Sequence, residues 1–389
     1  MYTKAFLIRA RGWTMQEWLL SNRYLIFSDD QVFWHCNKTV WCEDSQGREH
    51  DPHGFAVDPR YQPLRNITAH WHFKDERGGI GSLDLANTSA FKLYKDLVER
   101  YTRREVRDVD KLAAFDGLSN MLEQKLQASV SFGLPETTLD AALLWQPVTT
   151  IRRIHGIGLP SWSWAGWQGA VQYPHRHADR HNIMTGPGAA LETLVTWQRP
   201  ASDGSYGVID NSVSGLPGLR QKWQYFLDRW RQQPRTRPGA PPHTLMTNTM
   251  RNSLVVHKPE DIWYSAETGK NEKLGYQRIA NYFCIYSPKS EEIIGEVVLD
   301  DVEDAASLIR HQHQIELIVL SKTQLFRSHR MNHGPTGNLA EHPTEYRLYN
   351  LMAVRRQLDG KTVSRIGLGK VYIDQWHKAA PTWDWIYIT

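Results

Sequence analysis

His35-Cys36, Cys42, His50 and His53 are side chains of the types that bind zinc. A structural zinc site completes a tetrahedron of thiolates and imidazoles, and its usual signature is a tight C-x2-C pair. That pair is missing, and Trp34 and Trp41 beside the cysteines read as core, so no metal is expected. Asp300, Asp301, Glu303 and Asp304 could hold a cation, but they stand directly before a helical pattern, where acids favour the N-terminus. Gly367-Leu368-Gly369-Lys370 lacks the upstream glycine and following hydroxyl of a phosphate loop, and a strand pattern follows it. No G-x-S-x-G or Cys-His arrangement stands out for nucleophilic catalysis. His175, His177 and His181 read as part of a solvated polar loop.

Aromatic residues are the other chemical resource, with 16 Trp in 389 residues. Leu159–Gly169 alternates as a strand would: Trp162, Trp164 and Gly166 on one face, Ser161, Ser163, Ala165 and Trp167 on the other. The two tryptophans could stack on a sugar or base, but between Pro160 and Gly169 they read as core. Trp223, Phe226, Leu227 and Trp230 have the spacing of an amphipathic helix, with Lys222, Arg229 and Arg231 outside. The surrounding basic stretch, 219–237, is the one candidate for nucleic acid. Its aromatics are accounted for by a packed face and the net charge is only +4, so nucleic-acid binding is disfavoured.

The elements that would position these residues follow from periodicity. Thr14 and Glu17 have the spacing of a capping box, which starts a helix at Met15. Tyr24–Phe27 and Val32–Trp34 about Asp29-Asp30 form a hairpin, apolar on both faces and so needing cover on both. Phe91, Tyr94, Leu97, Val98 and Tyr101 mark a helix; Leu112, Phe115, Leu118, Leu122 and Leu126 mark a second; Leu139–Leu144 adds a short third. QQPRTRPGAPP, 232–242, is a linker. Beyond it Tyr282–Tyr286, Gly295–Leu299 and Ile315–Leu320 read as strands, with a helix near Ala305–His311. Tyr346–Val354 and Val363–Tyr372 are joined through the hairpin signal Asp359-Gly360. The chain is therefore α+β, with a mostly β C-terminal region. Three cysteines fit a reducing compartment, and no apolar run reaches the length of a membrane helix, so a cytoplasmic protein without membrane contact is expected.

Several blocks, in order, resemble the fungal heterokaryon-incompatibility (HET) domain family. Arg11, Gly12, Trp13, Thr14, Met15, Gln16 and Glu17, followed by Leu19, Leu20, Ser21, Asn22 and Arg23, resemble R-G-W-T-L-Q-E-x-L-L-S-x-R, with Met15 the one change. Asp110-Lys111-Leu112 with Gly117-Leu118 resembles the D-K-L-x-A-x-x-G-L helix. Gly133-Leu134 to Leu143-Leu144-Trp145 resembles its G-L-to-L-L-W segment. Pro160, Ser161, Trp162, Ser163, Trp164 and Ala165 are close to P-S-W-S-W-A, and Gly295 to Asp300-Asp301, Ile318–Ser321 and Arg365–Gly369 complete the order.

The resemblance implies a partition. Residues 1–42 would be the last helix and hairpin of a TIR-like α/β HET domain. Residues 43–170 would be a helical segment ending in the tryptophan motif, 171–260 a loose insert, and 261–389 the mostly β region. The blocks that resemble L-S-Y-x-W-G and W-I-D-x-L-C-I-x-Q in the family do not occur in these 389 residues, so an N-terminally truncated member is expected. The resemblance also implies nonself recognition and cell-death signalling, with other incompatibility or signalling proteins as partners and no cofactor. The alternative it carries is a TIR-like NAD hydrolase, with NAD as substrate and Glu17 as the catalytic carboxylate that stabilises cationic charge on the ribose.

Overall fold

The C-terminal strands are apolar on both faces, and both faces find cover. The computed structural model describes residues 11–21, 23–27, 32–36, 40–43, 73–74, 80–81, 90–173, 189–200, 205–209, 241–258, 263–265, 270–272, 281–289, 292–311, 314–326 and 345–389. The expected helix at 223–230, the basic stretch 219–237, nearly all of the 232–242 linker, and His50, His53, His175, His177 and His181 lie outside them.

At the N-terminal end α1 (Trp13–Leu20) leads into a three-stranded sheet of β1 (Arg23–Phe27), β2 (Val32–Cys36) and β3 (Val40–Cys42). Arg23 pairs with Cys36 and Phe27 with Val32, which is the expected hairpin. Leu25 and Phe27 share one of its faces and are 56% and 75% exposed. Helix α2 (Ala90–Tyr101), two 3-10 turns at Asp108–Asp110 and Ala113–Phe115, α3 (Asp116–Leu126), the short hairpin β4 (Val130–Ser131) and β5 (Leu134–Pro135), and α4 (Leu139–Ala142) form the helical unit.

Most of the remaining described chain is one ten-stranded sheet. Its strands are β6 (Ala189–Thr193), β7 (Gln198–Pro200), β8 (Tyr206–Val208), β9 (Leu245–His257), β10 (Tyr282–Tyr286), β11 (Ile293–Leu299), β12 (Gln314–Phe326), β13 (Glu345–Arg356), β14 (Thr362–Tyr372) and β15 (Thr382–Ile388). Helix α5 (Val302–His311) precedes β12, and α6 (Ile373–Lys378) follows β14. Strand β9 pairs with β12 through Arg251–Val255 on one edge and with β10 through Val256 and His257 on the other. The ladder β9-β12-β13-β14-β11-β10 therefore closes on itself as an antiparallel barrel, which leaves no free edge among those six strands. Strand β15 fills the other part of the seam, antiparallel to β9 and parallel to β14.

Alternation then sorts the side chains. Leu254, Phe283, Val297, Leu317, Leu351 and Val371, one from each ring strand, fall in a single cluster and mark the interior, which Ala305 of α5 and Trp376 of α6 join. Ile318, Leu320, Met352, Val354 and Leu368 point the other way and share a second cluster with the helical unit. The barrel wall is thus sandwiched, as the two-sided apolar pattern requires.

Three sequence expectations are corrected. The capping box does not form. Helix α1 begins at Trp13, and Thr14 donates to the Arg11 carbonyl at 2.7 Å instead of capping. The entry is set by tertiary pairing, since the Gly12 N–H donates to the Glu105 carbonyl at 3.0 Å. The stretch 171–260 is not simply a loose insert, because β6 to β9 lie in it and join the sheet. Its longest strand, LMTNTMRNSLVVH, carries threonines among its apolar residues, and Thr247 and Thr249 are buried, so polarity hid a core strand. Leu159–Gly169 is not one strand either: only Trp167 and Gln168 pair, with Arg153 and Arg152, and Trp164–Gly166 is a 3-10 helix.

Gly295 lets β11 and β14 approach closely: a methyl group there would sit 2.3 Å from the Lys370 carbonyl oxygen. We expect Gly295→Ala to cost about 1–3 kcal/mol in urea denaturation. Gly207→Ala, where nothing lies within 4 Å, should leave the midpoint nearly unchanged.

Candidate functional site

A buried indole needs an acceptor for its N–H, and the tryptophan motif meets that need with main-chain carbonyls. Trp145 donates to the Trp162 carbonyl at 2.9 Å, Trp167 to Ser161 at 2.8 Å, Trp162 to His243 at 3.0 Å and Trp164 to Gly133 at 3.2 Å. The Ser161 and Trp162 carbonyls turn to these indoles, and the neighbouring main chain closes turns, with the Ser163 N–H donating to the Pro160 carbonyl at 3.3 Å and the Gly166 N–H to the Ser163 carbonyl at 3.1 Å. Residues 161–166 accordingly form a turn and a 3-10 helix, Trp164–Gly166, capped by Ser163, whose oxygen accepts from the Ala165 N–H at 3.0 Å. Every residue from Pro160 to Trp167 is buried, including both serines.

The serines act as joints. Ser161 donates its N–H and its hydroxyl to the Thr389 carbonyl oxygen and accepts from the Arg365 N–H at 2.9 Å, tying the motif to β14 and the residue after β15. Ser163 donates to the Phe132 carbonyl at 2.6 Å.

Beneath the motif lies a buried ion pair. The Arg365 Nε donates to Asp300 Oδ2 at 2.9 Å, Nη1 to the Leu143 carbonyl at 2.7 Å and Nη2 to the Trp145 carbonyl. The guanidinium carbon lies 3.4 Å from the centroid of the Trp145 ring, a stacked cation–π contact. Burial pushes the Asp300 carboxyl above its ordinary range, and the Arg365 charge and hydrogen bond oppose that shift. Of the acidic cluster, then, Asp300 serves the core. Asp301 accepts from the Glu303 N–H at the start of α5, as expected of a helix N-terminus, and Asp304 pairs with Arg355 at 2.5 Å.

The two signature blocks meet in one core. Gly12 sits where a methyl group would be 3.0 Å from the Tyr101 ring, and Met15 is buried in the same cluster. The rings of Tyr101, Phe115 and Trp164 pack at centroid distances of 5.0–5.8 Å. Gln16 accepts from the Gly117 N–H at 3.1 Å, in the first turn of α3. Trp13 and Leu20 are partly exposed, Arg23 lies at the hairpin end opposite Cys36, and Ser21 donates to the Glu17 main-chain carbonyl. Glu17 itself points from the exposed side of α1.

A cleft in which polar groups converge lies against Trp162. Phe132, Leu139, Trp162, Ile209, Pro242 and Leu245 give it apolar walls, and Ser131, Glu136, Arg199, His243 and Thr244 line it with polar groups, around some 340 Å³ of space that includes its open mouth. Arg199 pairs with Glu136 and donates to Ser131 Oγ at 2.8 Å. Phe132 has φ +50° and Gly133 φ +82°, so the β4–β5 turn places a bulky aromatic in the left-handed region. Ser163 and Trp164 hold that turn from below, and outliers of this kind concentrate at functional positions. Burial, then the Arg153 charge, lowers the His243 pKa, which keeps its ring neutral near pH 7.

Sequence reasoning singled out none of the cleft's polar residues. They come from β4, the turn after β5, β7 and the start of β9, and only folding brings them together. Among the described residues no three His, Cys, Asp or Glu side chains are placed to hold a metal, and no helix is long and apolar enough to cross a membrane. Cys284 is buried in β10, where burial pushes its thiol up to about 11, so it offers no thiolate at neutral pH. No family model, curated protein or solved structure matches this chain.

Two outcomes follow. Arg365→Met leaves Asp300 buried without its cation and should cost about 3–5 kcal/mol by denaturant titration. Burial also lowers Lys111 to about 8. The folded state sheds this proton near pH 8, whereas the unfolded chain keeps it to about pH 10.4. Stability therefore rises with pH across that window and the burial penalty is fully present below it. The wild-type protein should gain on Lys111→Met between pH 7.5 and 9.5; an unchanged gap contradicts the assignment.

Proposed function

We propose that this chain is a HET-family protein of fungal nonself recognition that acts through protein contacts and not through catalysis of its own. The observation that carries the proposal is the convergence of the two signature blocks. Gly12 and Met15 of the first and Trp164 of the second pack on Tyr101 in one cluster, although some 150 residues of sequence separate them. A shared core is what two blocks of one family pattern lead one to expect. The non-catalytic side of the proposal is supported by Glu17. It lies on the exposed side of α1 and does not line the cleft against Trp162, whereas catalytic carboxylates are usually held in a pocket that perturbs them.

The test is expression of the wild-type chain in a filamentous fungus, scoring cell death after fusion with an unlike strain. Wild type should change the death score, and Glu17→Ala should match wild type, with folding stability within about 0.5 kcal/mol as for other exposed positions. A fall in cellular NAD that depends on Glu17 would overturn the non-catalytic proposal in favour of NAD hydrolysis. No change in the death score with folded wild-type protein present would overturn the assignment to nonself recognition.

A further inference from the structure

We propose that the open edge of β1 is a self-association site, on which a second copy of this chain lays its own β1 antiparallel, joining two three-stranded sheets into one. This inference does not rest on the signalling proposal. Its starting point is the edge itself. Among the described residues β1 pairs with β2 alone, in an unbroken register from Arg23 to Phe27, so its other side presents main-chain N–H and C=O groups without a ladder partner. Native sheets usually guard such an edge with a charge or proline inside the strand, or with a bulge. The interior of β1, Tyr24-Leu25-Ile26, has none of these.

The side chains on this strand also lack cover. Arg23, Leu25 and Phe27 lie on one face and are all exposed, Leu25 at 56% and Phe27 at 75%. Across the hairpin Leu25 stands opposite Trp34 and Phe27 opposite Val32, and both of those are only half-buried, so the face is apolar and open.

What selects a second copy is that the strand complements itself. Antiparallel pairing about a two-fold axis through Leu25 sets Leu25 against the partner's Leu25, and Arg23 against the partner's Phe27 at both ends. The first is an apolar cross-strand pair and the others are cation–π contacts, each covering part of an exposed side chain. Chain order adds a charge match. Arg23 opens the strand and Asp29-Asp30 follow its other end, so antiparallel copies bring unlike charges to each end, whereas parallel copies set like on like. An unrelated extended peptide would find the main-chain edge without this match. A five-residue edge buries less than the roughly 1,200 Å² of a standard interface, so the dimer is a weak one that assembles with concentration.

Sedimentation velocity of the intact chain from about 1 μM to several hundred micromolar tests the pairing. The mean mass should climb toward twice that of the single chain. Leu25→Lys sets like charges opposite each other on the axis and should weaken the dimer at least ~10-fold. Because Leu25 is exposed, the urea midpoint of that variant should stay nearly unchanged. Cross-linking then reads the register. Leu25→Cys places its thiol opposite its own copy, with Cα atoms about 4.5–5.5 Å apart, and should form a covalent dimer with oxidised glutathione, identified by mass spectrometry of the peptide linked through position 25. Phe27→Cys, about 14 Å from its own copy in this register, should not. A single-chain mass at every concentration, from protein with native denaturation behaviour, would mean that the edge is kept by another part of the chain or by another partner, and would overturn the proposal. So would a dimer that Leu25→Lys leaves intact, or one in which Phe27→Cys cross-links as readily as Leu25→Cys.

Discussion

A buried guanidinium must have its hydrogen bonds and its charge satisfied at once, and Arg365 meets both demands by drawing three parts of the chain together. Its carboxylate partner, Asp300, comes from the end of β11, its carbonyl acceptors from Leu143 and Trp145 after α4, and its stacking surface from the Trp145 ring. A pair of this kind contributes little net stability against an apolar replacement, because desolvation offsets the attraction. What it confers is arrangement: the barrel and the helical unit satisfy this cation in the register seen here, and a slip by one residue would turn it to the other face.

The tryptophan motif extends the same constraint outward. Its carbonyls accept from indoles and its serines bond to Phe132, Thr389 and the main chain of Arg365. Strand β15, the β4–β5 turn and the start of β9 are therefore fixed by one short segment. The cleft is a consequence. Trp162 forms its floor because its N–H is held by the His243 carbonyl, and Phe132 forms its wall because Ser163 holds the turn. Rigid support from below is what a recognition surface needs to present polar groups at fixed spacing.

Local pattern made several elements legible. The hairpin after α1, the three helices of the central unit, and the strands about Asp359-Gly360 all follow from periodicity and turn residues. What was not legible depended on partners far away in sequence. The alternation at 159–169 has the period of a strand, but indole donors from Trp145 and Trp167 take its carbonyls. The spacing of Thr14 and Glu17 has the form of a capping box, but Glu105 sets where α1 begins. The threonine-bearing β9 sits at the centre of the sheet because both its edges find partners, which no window of its own residues reveals. The cleft's polar residues were invisible for the same reason: Ser131, Glu136, Arg199 and Thr244 carry no shared motif, and closure of the β7–β9 pairing brings them together.

Arg365 joins the helical unit and the barrel into a single cooperative unit. Native-state hydrogen exchange in increasing urea, read by mass spectrometry on peptides from 90–145 and from 345–372, tests it most directly. In the wild-type protein both sets should open with the same free energy and the same urea dependence, and in Arg365→Met the helical peptides should open first. Separate opening of the two regions in the wild-type protein would show that Arg365 does not couple them.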